Sequence, residues 1–370
     1  MDVVRRAVTA AAVGAAAVVS ARAFFKSGST ADQQKLVDWD TVRRVAVQRS
    51  GERADAPALE QATRLSSAYD ASARELAPLL AEVCGAIPTD LPRFVALDRR
   101  GFIDANLIIV RRLLDPVEEL RAAVPDSRVA VAARRLIDRY VGELFGLMSR
   151  RVLGQYDPVL MLGAASERTE VAPALYLVEP NLVDFQRANG LPGEALRRWL
   201  ILHELTHAWQ FQAHPWLGDY ITSQMREMLL TGITDADGSL LRNRELLQRL
   251  PGTVRAQLRG VGRIQAVMSV LEGYSNFVMH RVGRRHIQDA DRLEAAAHRR
   301  RQQRSALERL VFMITGLEMK MRQYEVGEKF ATAVADRAGL ATLNRVWDGP
   351  ALLPTIDELR YPSRWLERLR

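Results

Sequence analysis

The sequence predicts an α+β chain that is predominantly helical, with a small sheet beside one central helix. Three observations lead there. Apolar residues recur at three- and four-residue steps over most of the chain, which is the helical period. Strand-like, turn-flanked runs are few and short: Arg93–Leu97, and then Arg151–Gly163 paired with Ala174–Val178. The central helix is Glu194–Ala213, uninterrupted by Pro or Gly and carrying Leu196, Trp199, Leu200 and Leu202 at helical spacing.

The 370 residues can bury a full-sized core, and the balance of 48% hydrophobic and 26% charged residues is that of a globular protein. The net charge of +8 invites a nucleic-acid or membrane reading. Lysine, however, occurs only at Lys26, Lys35, Lys320 and Lys329, so arginine supplies almost all the basic residues, with acidic residues mixed among them. That pattern looks like coding bias, and no nucleic-acid partner is expected. The single Cys84 excludes an internal disulfide framework and a multi-cysteine metal site.

From the N-terminus, Arg5 and Arg6 precede an Ala/Val run, Ala7–Ala21, with Ala21-Arg22-Ala23 as a possible cleavage site. The run is short for a span of roughly 20 residues. Residues 1–30 read as an extension outside the fold: an export signal, a membrane anchor acting through residues 5–25, or a surface alanine helix. Location follows that choice, cytoplasmic in the last case and exported or membrane-associated in the others. Residues 31–370 read as one domain, a helical layer over 31–150 followed by the metal-site region over 151–370.

Within that layer, Leu36–Ser50 begins the fold, and Ala58–Ala77 is helical by period until Pro78 ends or kinks it. Phe102–Val124 (broken near Pro116) and Val129–Met148 are further amphipathic helices, and their role is packing. Arg151–Gly163 and Ala174–Val178 form a hairpin signature just before the central helix. An edge strand beside the central helix can bind an extended chain by β-augmentation, and an ordinary capped edge strand is the alternative. His214-Pro215 turns into another helix reaching about Leu230, and Arg263–Val278 is a strongly apolar one. Arg281–Arg304 is a charge run that reads as a solvated loop. Ala306–Gly339 is mostly helical, and the tail after Gly349-Pro350 is irregular with a short terminal helix.

The chemistry sits at His203-Glu204-Leu205-Thr206-His207, an H-E-x-x-H pattern. Residues four apart share a helix face, so both imidazoles can point at one spot, a geometry that suits Zn²⁺. Glu204 is then placed as the general base on a metal-activated water and as proton donor to the leaving amine. The alternative is two core histidines satisfied by hydrogen bonds. A third ligand would decide for metal, and Glu272 is the candidate: a carboxylate at the end of an apolar run is costly to bury unless paired or metal-bound. A salt bridge to an arginine is its alternative, and His280 is the rival ligand. His214 does not complete an H-x-x-G-x-x-H continuation, because position 210 is Gln and position 213 is Ala. Tyr274 and Tyr324 are the candidate oxyanion donors. Ser275 or Asn276 is placed to hold a histidine's second ring nitrogen.

Leu36-Val37-Asp38-Trp39-Asp40, Leu153-Gly154-Gln155-Tyr156-Asp157-Pro158, Leu202–His207 with Trp209-Gln210-Phe211, and Glu272-Gly273-Tyr274 follow one another in the chain. Lys320-Met321-Arg322-Gln323-Tyr324, Gly327, Phe330 and Asn344-Arg345-Val346-Trp347 come after them. Together, over about residues 36–370, they resemble the zincin-like zinc metallopeptidase family labelled coenzyme F420 biosynthesis-associated (the DUF2342 family). The resemblance implies a zincin fold, His203 and His207 as ligands, Glu204 as base and Glu272 as acidic third ligand. It supplies no substrate. The chain departs from the family pattern in its alanine-rich extension and in having His280 after the E-G-Y helix.

The expected function is therefore zinc-dependent hydrolysis of peptide bonds, with a peptide or small amide as substrate. Two other readings stand beside it: hydrolysis of a non-peptide amide or metabolite linked to coenzyme F420, and a metal-stabilised scaffold without turnover. Oligomeric state is not legible here.

Overall fold

The computed structural model describes residues 37–51, 59–85, 91–119, 128–156, 174–234, 244–302 and 317–370. The alanine-rich extension and the part of Arg151–Gly163 beyond Tyr156 lie outside these residues. No helix among the described residues is long and apolar enough to cross a membrane.

Helix α1 (Trp39–Ser50) starts at Asp38, whose carboxylate accepts from the amides of Asp40 and Thr41, and stops at Gly51 in the left-handed region. Helix α2 (Leu59–Cys84) runs through Pro78 without ending. Leu76, Ala77, Leu80 and Val83 are all buried on either side of the proline, so packing of that face outweighs the lost backbone bond. Strand β1 (Arg93–Leu97) falls where the sequence predicts it and leads into α3 (Arg99–Glu119) and α4 (Arg128–Ser149). Val42, Ala46, Ile103, Leu107 and Phe145 close a small separate core between α1, α3 and α4.

Strands β2 (Gly154–Tyr156) and β3 (Ala174–Val178) pair antiparallel, with Gln155 opposite Tyr176. The sheet has a third member: β1 runs parallel to β3, with Val95 opposite Tyr176, giving the order β1-β3-β2. Ala174–Val178 is therefore the central strand, and Leu175 and Leu177 are fully buried. The edge nearest the metal helix is β2.

Helix α5 (Glu179–Asn189) follows β3 directly, with Pro180 in its first turn, where a missing amide costs nothing. Next come α6 (Gly193–Ala213), the H-E-x-x-H helix, then α7 (Trp216–Thr234) and α8 (Arg244–Val278). Helix α8 continues into a π-helical turn at Met279–Gly283. The charge run is no loop: α9 (Ala290–Gln302) buries Leu293, Ala296 and Ala297, exposes Arg292 and Arg299, and lays Arg300 over the Phe185 ring. Helix α10 (Leu317–Asn344), kinked at Gly339, lies along α8. The C-terminal helices α11 (Ile356–Arg360) and α12 (Pro362–Arg368) follow, and the chain end covers α10 through Trp365 against Phe330.

Candidate metal centre

Helix α6 forms because its apolar residues surround it on nearly every side: Leu196, Leu200, Ile201, Leu202, Leu205, Ala208 and Trp209 are buried. Its start is tied to the end of β3. Arg197 reaches the Glu179 carboxylate at 2.7 Å, and the Tyr69 hydroxyl of α2 donates to the same Glu179. A helix so held presents His203 and His207 one turn apart, with Nε2 atoms 3.2 Å from each other and rings edge to face.

Helix α8 brings Glu272 to the same point. Its Oε2 stands 3.6 Å from His203 Nε2 and 3.7 Å from His207 Nε2. These three atoms define one of two His/Glu groups among the described residues whose ligand atoms lie within 4.8 Å of one another. Tetrahedral ligands on bonds of about 2.1 Å are separated by about 3.4 Å. The triangle of 3.2, 3.6 and 3.7 Å matches that spacing, so the residues fit a zinc-sized cation.

Hydrogen bonds set which nitrogen of His207 faces the centre. Gln210, fully buried, offers its Oε1 to His207 Nδ1 at 2.8 Å and donates its Nε2 to the Leu271 carbonyl at 3.0 Å. Ser275 donates its hydroxyl to the same carbonyl, leaving its oxygen 3.4 Å from His207 Nδ1. Gln210 Oε1 can only accept, so in the neutral ring Nδ1 carries the proton and Nε2 is the nitrogen left to face a cation. The sequence offers Asn276 or Ser275 for this role, and Ser275 is the one beside the ring. Gln210 was missed, although its position three residues past His207, on the same helix face, is the available signal. The Nδ1 of His203 is buried without a hydrogen-bond partner among the described residues.

Electrostatics follow from this crowding. Burial by itself pushes the His207 imidazole down, but the Glu272 carboxylate's hydrogen bond and charge outweigh it, helped by Glu204 and Gln210, and hold it at about 9. Burial likewise raises Glu272, yet His203 and His207 keep its carboxyl well below the usual carboxylate range.

Glu204 is buried on α6 next to the sheet edge. A Cβ at Gly154 would lie 2.8 Å from Glu204 Oε1, so a larger residue there would displace the Glu204 carboxylate. Reciprocal amide bonds between Gln155 and Asn106, at 3.0 and 3.2 Å, fix β2 to α3. Asn181 donates to the Ser149 and Val152 carbonyls, holding the chain that leads into the strand.

Two expected residues stand elsewhere. Tyr274 is not an oxyanion donor: it lies two residues, about 200° of helix, from Glu272 and is 1% exposed. Its hydroxyl donates to Asn344 Oδ1 at 2.8 Å, and its ring stacks on Trp209 and meets Trp347 edge-on. His280 is not a rival ligand. It sits on the π-helical turn, where its Nδ1 meets Glu294 of α9 at 3.1 Å and Glu328 of α10 at 3.0 Å. Tyr324 falls on α10, one turn before Gly327, and its side chain lies outside the described residues. His214 packs against Trp209 and Trp347, away from the centre.

A helix bearing H-E-x-x-H, a carboxylate from a later helix and a short sheet with its edge by the glutamate define a zincin-type metallopeptidase scaffold. The model of the zincin-like metallopeptidase family matches residues 37–366, and the chain belongs to that family. It is similar to a solved structure from Chloroflexus aurantiacus, a provisionally assigned hydrolase described as having a novel fold. The two are 31% identical, with a TM-score of 0.69 over 90% of this chain and 98% of that one. Comparison with curated proteins gives no match.

Proposed function

We propose that the protein is a zinc-dependent hydrolase that cleaves peptide bonds. The observation that carries this reading is the convergence of His203 Nε2, His207 Nε2 and Glu272 Oε2 beside a buried Glu204. His203 and His207 would hold the ion through Nε2, and Glu272 through a carboxylate oxygen. When bound, zinc lowers the pKa of water toward ~7 and polarises the scissile carbonyl. Glu204 takes the proton from the attacking water and passes it to the leaving amine, the role its place in the pattern suits. The Glu272 carboxylate and the Gln210-oriented imidazole keep the site's donors aimed before substrate arrives, so little reorganisation is needed at the moment of reaction.

The sheet favours a peptide over a small metabolite. Among the described residues, strand β2 stands at the edge of the sheet, antiparallel to its neighbour and in contact range of Glu204. An extended substrate adding to that edge would carry its backbone past the glutamate. The test is Glu204→Gln, assayed by mass spectrometry on a mixed peptide library. Cleavage should fall by roughly 10²- to 10⁴-fold with zinc content unchanged. Equal cleavage by the variant would refute the assignment of Glu204 and the hydrolase reading with it.

A further inference from the structure

Glu272 is flanked by two contacts of an unusual kind, one on each side. On one side, the Leu271 carbonyl accepts from Gln210 of the histidine helix, which ties α8 to α6. On the other, Gly273 lies backbone to backbone against Gly327 of α10. A Cβ on Gly273 would stand 2.2 Å from the Gly327 carbonyl carbon, and one on Gly327 would stand 1.9 Å from the Ser269 carbonyl oxygen. Helices that meet through side chains keep their axes about 8–10 Å apart. No side chain larger than hydrogen fits at this crossing, so any substitution must push α8 and α10 apart by an amount on the order of 1 Å. Metal–ligand distances hold to within about 0.2 Å of their ideal values, so a shift of that size must be taken up elsewhere.

We propose that Gly273 and Gly327 are positioning residues of the metal centre: their direct contact sets the depth at which Glu272 enters the space between His203 and His207. The proposal rests on the metal-site reading of those three residues. The same molecule supplies a control. On α4, Gly142 and Gly146 pack against α1, where an added Cβ would lie 2.6 Å from Val45 Cβ and 2.5 Å from Arg49 Cβ. That crossing belongs to the small core under the N-terminal layer and carries none of the three ligands.

Wild type, Gly327→Ala, Gly146→Ala and Glu272→Ala are each titrated with zinc against a chelator, then loaded with Co²⁺ for its visible spectrum, at a temperature where circular dichroism shows them folded. Gly327→Ala should bind zinc 10- to 100-fold more weakly, with an altered cobalt spectrum, as expected when support around a ligand is lost. Gly146→Ala should lower Tm while leaving affinity and spectrum as in wild type. A folded Gly327→Ala protein with wild-type affinity and spectrum overturns the proposal. Hydrogen exchange on wild type covers the case in which Gly327→Ala does not fold. Zinc should raise amide protection at residues 269–273 and 325–330 as well as on α6, and protection confined to α6 overturns the proposal. If Glu272→Ala binds zinc as wild type does, the metal-site reading itself falls. If only that variant weakens binding, the reading stands and the positioning role is lost.

Discussion

Two groups of histidine and glutamate occur among the described residues, and their difference separates a candidate metal centre from an ion-pair cluster. In the first, two imidazole nitrogens and one carboxylate oxygen form a near-regular triangle, and a buried amide fixes the proton of one ring. In the second, a single nitrogen of His280 receives two carboxylates, Glu294 and Glu328, at 3.1 and 3.0 Å. Arg284 contacts the other oxygen of Glu294 at 3.3 Å, and the three side chains are between 27% and 36% exposed. That cluster joins the π-helical turn to α9 and α10 and already has cationic partners. Residue type alone does not distinguish the two groups. Convergence of lone pairs does.

The sharpest way to break the comparison is to remove a ligand from the first group. His207→Ala should weaken zinc binding by roughly 10³-fold, beyond the 10–100-fold that outer partners carry. Calorimetric titration at pH 7.5 reads this directly. Next in size is Gln210→Leu, which removes the acceptor that sets the His207 tautomer and leaves the Leu271 carbonyl short of a donor. Its zinc affinity should fall by about 10- to 100-fold with the fold retained, and an unchanged value would show that Ser275 suffices. The smallest effect belongs to the second group. His280→Ala should change unfolding free energy by no more than about 1 kcal/mol, as for other partly exposed ion pairs, and should leave zinc content untouched. Loss of zinc in that variant would erase the distinction drawn here.

Much of the site was legible in the sequence because it depends on local spacing. Two histidines four apart share a helix face in any helix, and an ionisable Glu272 in the apolar run 263–278 stands out against its neighbours. The parts that were not legible depend on chain segments far apart. Nothing in the local pattern tells that Tyr274 would spend its hydroxyl on Asn344, seventy residues away. Nor does it tell that Gly273 would meet Gly327, or that β1 would come to lie beside β3. The misread elements share a cause as well. Pro78 and the arginines of 290–302 are strong local signals for ending or solvating a segment. Each was overruled by a buried face on the same element: Leu76 and Leu80, then Leu293 and Ala296.

The central claim is that one cation site exists and that Glu272 belongs to it. Elemental analysis of protein equilibrated with zinc and then desalted measures this, for wild type beside Glu272→Ala and His280→Ala. The account predicts one zinc per chain in wild type and in His280→Ala, and far less than one in Glu272→Ala. A full zinc in Glu272→Ala, or two in wild type with one lost in His280→Ala, would contradict it.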